Sequence, residues 1–169
     1  MNMSDKVTQH FTLHEFMWSD VAQRHAEFED RVMRAQLLAI RALSEQLEVV
    51  RAWYPGLRVF INSGMRDATI QEALLDAGVR SWTRSDHSFM SSWWPFGTGA
   101  VDFSVEDTPM ATVMRDCTAN LDLEAYGELI YYEDQNFIHM SNHARVLGHA
   151  RPQRDRWRIH DKAGFRRYA

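Results

Sequence analysis

The chain has 169 residues, 45% of them hydrophobic and 25% charged, with a net charge of −4, which suits a single globular domain. No run of about 18 apolar residues occurs, so we expect no membrane span. Cys117 is the only cysteine, which excludes an internal disulfide and a thiolate zinc cluster and leaves histidine and carboxylate for any metal site. We interpret Cys117 as a buried thiol rather than a catalytic one.

The first predicted element is a short helix that starts at Thr12 and runs to about Ala22. Thr12 suits the N-cap position, and Glu15, three residues later, completes a capping box. Phe11 and Phe16 occupy the positions of a hydrophobic staple across this helix start. The segment therefore predicts a helix with a well-defined first turn.

Three further segments of the first half carry helix or strand patterns. Apolar residues recur at steps of three to five between residues 29 and 53, which predicts a long amphipathic helix ended by Pro55-Gly56. Residues 57–61 form a β-rich run that predicts a short strand. Residues 69–77 predict a short helix that Gly78 stops.

The second half predicts mainly strands. Residues 100–105 alternate like a half-buried strand, and Thr108-Pro109 predict the start of a further helix. Residues 127–133 and 136–141 predict two strands joined by a tight turn. The order of these elements predicts an α+β fold in which N-terminal helices pack on a small, mainly antiparallel sheet.

Residues 145–169 form a basic tail. Eight Lys or Arg residues stand there against two Asp residues, a net charge of +6, which leaves −10 for residues 1–144. Such a tail suggests an anionic partner, such as cell-wall polymer, nucleic acid or an acidic protein face, or else it is a solvated end of the chain. On this basis we divide the chain into a domain over 1–144 and a tail over 145–169.

Three segments hold groups that could converge on one point. Asp102 alternates onto one face of the strand predicted over 100–105, His139 lies on the last predicted strand, and His87 precedes a loop with two tryptophans. Two histidines and one carboxylate are the ligand set of a catalytic zinc ion with an open fourth position. On spacing alone the ordinary alternative, that these are structural residues satisfied within the fold, is favoured. The HExxH motif of many zinc peptidases is absent.

Six stretches in order resemble one family of enzymes. Three of them are Ser-x-His, Ala-x-Asp and a histidine after a bulky residue, at Ser85–His87, Ala100–Asp102 and His139. The other three are FTLHEFMWSD, VFINSGMRD and YGELIYYE. Over about residues 11–142 the chain therefore resembles the zinc D-Ala-D-Ala carboxypeptidase and L-Ala-D-Glu endopeptidase family, the LAS-type peptidoglycan metallopeptidases.

The resemblance implies a LAS/hedgehog-like fold for residues 1–144, with a zinc ion as cofactor. The implied zinc ligands are His87, Asp102 and His139. Ser85 would support a ligand or contact the substrate. Arg66 would bind a peptide carboxylate with its planar donor fork, the alternative being that it is a surface turn residue.

One departure from the family pattern lies in the loop between the first two implied ligands. The step from His87 to Asp102 is fifteen residues, where the family usually has seven, and the inserted residues include SSWWPF. We interpret this loop as a substrate lid or stacking platform, or equally as a packing or partner-docking loop. Thr98 occupies the usual glycine position, with Gly97 and Gly99 on either side. With eight residues inserted, the ligands can meet only if the loop bulges out and returns.

A second departure concerns the proton acceptor. Hydrolysis needs a carboxylate that takes a proton and passes it to the leaving amine, and the family often places it three residues before the last histidine. Asn136 stands there. Glu133 is the predicted catalytic base, with Asp134 second, the alternative being that Glu133 is an exposed acid in a turn. If neither reaches the site, the protein would bind metal or wall and cut poorly.

The resemblance implies a peptidase that cleaves a peptide bond in peptidoglycan stem peptides, as a carboxypeptidase or an endopeptidase, in a phage or bacterial cell-wall lytic enzyme. A polar N-terminus predicts synthesis in the cytoplasm without a signal peptide, with action at the wall after lysis or from a virion. The alternative is a catalytically impaired member of the fold that serves as a phage virion structural or wall-binding module, with phage structural proteins as partners. Nucleic-acid binding through the tail is a weaker third interpretation.

Overall fold

A computed structural model gives the fold of the chain. It describes residues 2–79, 85–89, 99–121, 126–142, 157–161 and 164–167. The tryptophan loop over 90–98, which includes Thr98, lies outside the described residues, as do residues 143–156. The interpretations placed on that loop therefore stay predictions.

The described chain contains four α-helices and eight strands. The α-helices are α1 (Leu13–Met17), α2 (Met33–Trp53), α3 (Ala68–Asp76) and α4 (Met110–Asn120). The strands are β1 (Trp18–Ser19), β2 (Arg24–His25), β3 (Val59–Ser63), β4 (Ala100–Val105), β5 (Tyr126–Tyr132), β6 (Phe137–Asn142), β7 (Trp157–Asp161) and β8 (Gly164–Arg167). None of these described helices combines the length and the apolar character that a membrane span needs.

Six of the strands form one sheet in the order β3-β4-β6-β5-β7-β8, and β1 pairs with β2 in a separate two-stranded sheet. The pairings are antiparallel except that of β5 with β7, which is parallel. The predicted α+β fold, with helices on a mainly antiparallel sheet, is confirmed. The likeness to the LAS/hedgehog-like fold stays a prediction.

One face of strands β4 and β6 is apolar and contributes to the core. Val101 and Phe103 of β4 alternate onto this face opposite Met140 and Ile138 of β6, and all four are fully buried. The inner faces of α2 and α4 belong to the same apolar cluster. Because side chains alternate along a strand, the remaining positions of β4 and β6 point to the opposite face. That second face carries the candidate site.

Two helix boundaries differ from the sequence-based expectation. α1 ends at Met17 rather than near Ala22, because the backbone of Trp18 becomes extended and Trp18 pairs with His25. The two-stranded sheet β1–β2 thus replaces the second half of the predicted helix. α2 begins at Met33, a few residues later than predicted, and ends where expected.

Part of the predicted tail belongs to the sheet. β7 and β8 both lie within residues 145–169, and β7 lies parallel to β5, with Arg158 in register with Ile130. The six-stranded sheet therefore extends two strands beyond the predicted boundary at residue 144. The basic charge of this segment thus lies partly on strands rather than wholly on a tail.

Cys117 lies on α4 and is fully buried. Burial, together with the neighbouring Asp116 carboxylate, raises the pKa of the Cys117 thiol to about 12. Because the thiolate is the reactive form, we expect Ellman's reagent at mildly alkaline pH to leave the folded protein unmodified. The same sample in concentrated guanidinium chloride should react with one thiol per chain. Rapid labelling of the folded protein would show that α4 does not bury this face.

Candidate metal centre

Two neighbouring strands place a carboxylate and an imidazole side by side. β4 and β6 are antiparallel, and their register sets Asp102 directly opposite His139. Directly opposite residues share one face of a sheet, with Cβ atoms roughly 4.5–5.5 Å apart. Asp102 and His139 are both buried, and both point away from the apolar core. Strand pairing alone therefore brings these two groups together.

His87 reaches the same point from a short 3₁₀ turn, Asp86–Ser88. Ser85 caps this turn, since its hydroxyl accepts the backbone N–H of His87 at 3.3 Å and its carbonyl accepts the hydroxyl of Ser88 at 2.8 Å. The backbone N–H of Arg66 donates to the carbonyl of His87 at 2.8 Å. Ser85 thus shapes the turn that presents His87, and its predicted contact with substrate stays a prediction.

Three ligand-type atoms meet in one buried cluster. His139 Nδ1 lies 2.8 Å from Asp102 Oδ1, His87 Nε2 lies 3.2 Å from the same oxygen, and the two nitrogens are 3.2 Å apart. The exposed fractions of His87, Asp102 and His139 are 3%, 7% and 9%. These residue types at this spacing could hold a metal ion.

The hydrogen bond made by Nδ1 of His87 determines whether the other ring nitrogen, Nε2, carries a proton. Nδ1 lies 2.7 Å from the carbonyl oxygen of Gly64, which can only accept, so Nδ1 carries the proton. Nε2 of the neutral ring then carries no proton, and its lone pair is directed at the carboxylate of Asp102. That arrangement is repulsive unless a cation lies between the two groups. Metal-ligating histidines are commonly oriented in this way, through a backbone carbonyl on the other nitrogen.

The charge state of the cluster suits cation binding. Burial lowers the pKa of His87, and this effect outweighs the opposing one of the Asp102 charge. Burial alone would raise the pKa of Asp102, but attraction to His87 in its protonated form, which is the form present at acidic pH, and the hydrogen bond with His139 hold that pKa well below its usual range. At neutral pH the cluster therefore presents a neutral His87 and an ionised Asp102, the forms in which these groups bind metal.

Arg66 holds Asp102 from the side away from the imidazoles. Its Nη2 donates to Asp102 Oδ2 at 3.2 Å, and its Nε and Nη2 donate to Ser63 Oγ at 3.1 and 2.9 Å. The Arg66 side chain is 14% exposed, so it is not the surface turn residue of the alternative interpretation. Two of its nitrogens thus already contact protein oxygens. Its predicted contact with a substrate carboxylate stays a prediction.

The two ends of the long connection between His87 and Asp102 lie close together. Phe89 is fully buried, and a Cβ atom on Gly99 would come within 2.5 Å of its ring. The two ends of the inserted loop are therefore in contact, and glycine is required where the chain returns. This contact explains how the candidate ligands meet across so long a connection.

The predicted proton acceptor lies between β5 and β6. Glu133 and Asp134 belong to a 3₁₀ turn, Glu133–Gln135, and both are exposed. Asn136 follows with a φ of 53°, in the left-handed region that asparagine tolerates better than most residues. The connection is thus longer than the predicted tight turn, and its geometry gives a local reason for asparagine at position 136. Glu133 as the catalytic base stays a prediction.

Two features of the site escaped the sequence analysis. The carbonyl of Gly64 is a backbone group, so no side-chain pattern marks its contact with His87. Tyr132 was missed although a signal existed, because β5 and β6 form a hairpin in which alternation places Tyr132 and His139 on one face.

Comparison of the chain with protein-family models, with curated proteins and with solved structures finds no match.

Proposed function

We propose that the protein is a zinc metallopeptidase that hydrolyses a peptide bond in the stem peptides of bacterial peptidoglycan. One observation carries the metal part of the proposal: Gly64 fixes the proton of His87 on Nδ1, so that the Nε2 lone pair faces Asp102 and His139, each at 3.2 Å. The substrate class comes from the resemblance of the surrounding motifs to the LAS-type peptidases.

The donor set fits zinc. Zinc binds histidine nitrogen at about 2.0–2.1 Å in tetrahedral sites, which sets neighbouring ligand atoms about 3.3–3.4 Å apart. The three candidate atoms are 2.8–3.2 Å apart, close to that spacing. Two histidines and one carboxylate also leave one coordination position for water or substrate, as in catalytic rather than structural sites.

Each residue has a defined part in the proposed reaction. His87, Asp102 and His139 would hold the ion, which when bound supplies Lewis acidity and a water of lowered pKa. Arg66 keeps the carboxylate of Asp102 in place. Glu133 takes up a proton on its carboxylate and returns it to the leaving amine.

The proposal is tested by metal analysis together with an amine-release assay on purified peptidoglycan. We expect one zinc ion per chain and the appearance of new amines. Protein treated with a chelator should release none, and added zinc should restore the release. Zinc-loaded protein that releases no amines from intact or fragmented peptidoglycan would contradict the proposal.

A second candidate function is that of a catalytically impaired wall-binding or virion structural module. It is favoured by the exposure of Glu133 and Asp134 in their turn, because neither carboxylate belongs to the buried cluster of candidate ligands. In this case the protein should cosediment with purified peptidoglycan or assemble with other phage structural proteins, without releasing amines.

Glu133 is tested by replacement with glutamine. The amide cannot accept a proton, so kcat on peptidoglycan should fall roughly 10²–10⁴-fold, the usual contribution of a general base, while zinc content stays unchanged. Asp134→Asn is the matched control, because Asp134 is the adjacent exposed acid in the same turn. Unchanged kcat in Glu133→Gln, or an equal loss in both variants, would remove Glu133 from this role.

A further inference from the structure

Tyr132 lies at the end of β5 on the face that carries the metal-ligand candidates. In the β5–β6 hairpin Ile130 is opposite His139, and Tyr132 is opposite Phe137. Residues two apart on a strand share a face, so Tyr132 and His139 point to the same side of the sheet. The next residue back, Tyr131, points into the apolar core on the opposite side and is 8% exposed.

The ring of Tyr132 is held by a stacked neighbour. Its centroid lies 4.7 Å from that of Phe137, with an angle of 21° between the ring planes. Both rings lie on paired strand residues rather than on a loop, so the direction of the phenol is set by the sheet. A group fixed in this way does not need to be reoriented during a reaction, which is the condition for an effective hydrogen-bond donor.

The charges of Asp102 and Arg66 both affect the ionisation of Tyr132. Burial, the Asp102 charge and the opposing charge of Arg66 together raise the pKa of Tyr132 to about 12. At neutral pH the phenol keeps its proton and can donate a hydrogen bond.

We propose that Tyr132 is a catalytic residue whose phenol donates a hydrogen bond to the substrate oxygen on which negative charge develops when the peptide bond is attacked. The inference deepens the proposed peptidase function and rests on it. Tyr132 keeps its proton throughout, so its part is separate from the proton transfer assigned to Glu133. Fixed donors directed at developing oxyanion charge act strongly where water is largely excluded, and this cluster is buried.

The test compares Tyr132→Phe with Tyr131→Phe, which removes the same hydroxyl from the adjacent residue of the same strand. We expect Tyr132→Phe to lower kcat on peptidoglycan roughly 10²–10³-fold, the usual effect of removing one such donor, with KM and zinc content nearly unchanged. Tyr131→Phe should keep the wild-type kcat. The loss should appear in kcat rather than KM because the interaction forms mainly in the transition state.

A second readout does not depend on activity. In protein labelled with ¹³Cζ-tyrosine, the Tyr132 resonance, assigned by its absence from Tyr132→Phe, should move when zinc is added to metal-free protein, while the Tyr131 resonance should not. If the wild type is active and Tyr132→Phe is equally active, this inference alone is overturned. The same holds if the Tyr132 resonance does not shift when zinc is added. Wild-type protein that binds zinc and releases no amines would overturn the peptidase function and the inference with it.

Discussion

Replacing Asp102 with asparagine is expected to abolish zinc binding. The change removes the negative charge that balances the ion and alters the oxygen that lies 2.8 Å from His139 Nδ1 and 3.2 Å from His87 Nε2. The loss in affinity should exceed the roughly 10–100-fold that follows loss of a residue that merely supports a ligand. Competition with a chromophoric chelator measures it.

Asp116→Asn is the matched control for this change. Asp116 is a carboxylate on α4 that accepts a hydrogen bond from the Tyr54 hydroxyl at 2.6 Å and lies outside the cluster of candidate ligands. Its loss should affect stability and leave zinc affinity as in the wild type. Wild-type zinc affinity in Asp102→Asn would remove Asp102 from the metal centre.

The same substitution should also destabilise the metal-free protein in a pH-dependent way. Asp102→Asn leaves the mostly buried Arg66 guanidinium without the carboxylate of residue 102, and removal of one partner of a buried ion pair typically costs about 3–5 kcal/mol. The pKa of Asp102 is lower in the folded than in the unfolded protein. Its stabilising contribution is therefore complete above the unfolded value of about 3.9 and is lost as the pH falls below it.

Urea unfolding of the two metal-free proteins at several pH values measures this contribution. The difference in free energy of unfolding should be constant near neutral pH and should shrink as the solution is acidified below about pH 5. A difference that stays constant down to strongly acidic pH would show that the Asp102 carboxylate is not stabilised by its neighbours.

Zinc saturation is expected to raise the melting temperature substantially. The candidate ligands come from a 3₁₀ turn, from β4 and from β6, so they assemble only in the folded chain. A ligand at a thousand times its Kd stabilises a protein by about 4.1 kcal/mol, and about 2–4 °C per kcal/mol is usual for a chain of this size. The expected shift is therefore roughly 8–16 °C.

Thermal unfolding in zinc, in chelator and in magnesium measures this shift. Magnesium is the control cation, because it prefers oxygen ligands in octahedral geometry to imidazole nitrogen. It should leave the melting temperature close to that in chelator. Equal melting temperatures in zinc and in chelator would show that the cluster does not bind zinc in the folded state.

The strands and residues that place the site could largely be predicted from sequence. Alternation along residues 100–105 places Asp102 on the face opposite Val101 and Phe103, and the structure has that arrangement. Local signals at helix starts were equally informative. Glu15 accepts the backbone N–H of Thr12 at 2.8 Å, as the predicted capping box requires. These signals succeed because they depend only on residues close in sequence.

Features that depend on distant pairings could not be predicted in the same way. α1 is cut short by the pairing of Trp18 with His25, which a helix-period pattern does not show. The strand β7 was missed because it pairs in parallel with β5 and lies in an arginine-rich stretch. The supporting bond of Arg66 to Asp102 joins residues on separate elements, so its partner could be identified only in three dimensions.

The most direct test of the metal centre is the zinc content of purified wild-type protein and of His87→Ala. His10→Ala is the matched control, since His10 contacts Glu48 near the surface, outside the cluster. The metal-centre proposal predicts one zinc ion per chain in the wild type and in His10→Ala, and none in folded His87→Ala. Zinc retained by His87→Ala at the wild-type level, or a wild-type protein that cannot be loaded with zinc, would contradict it.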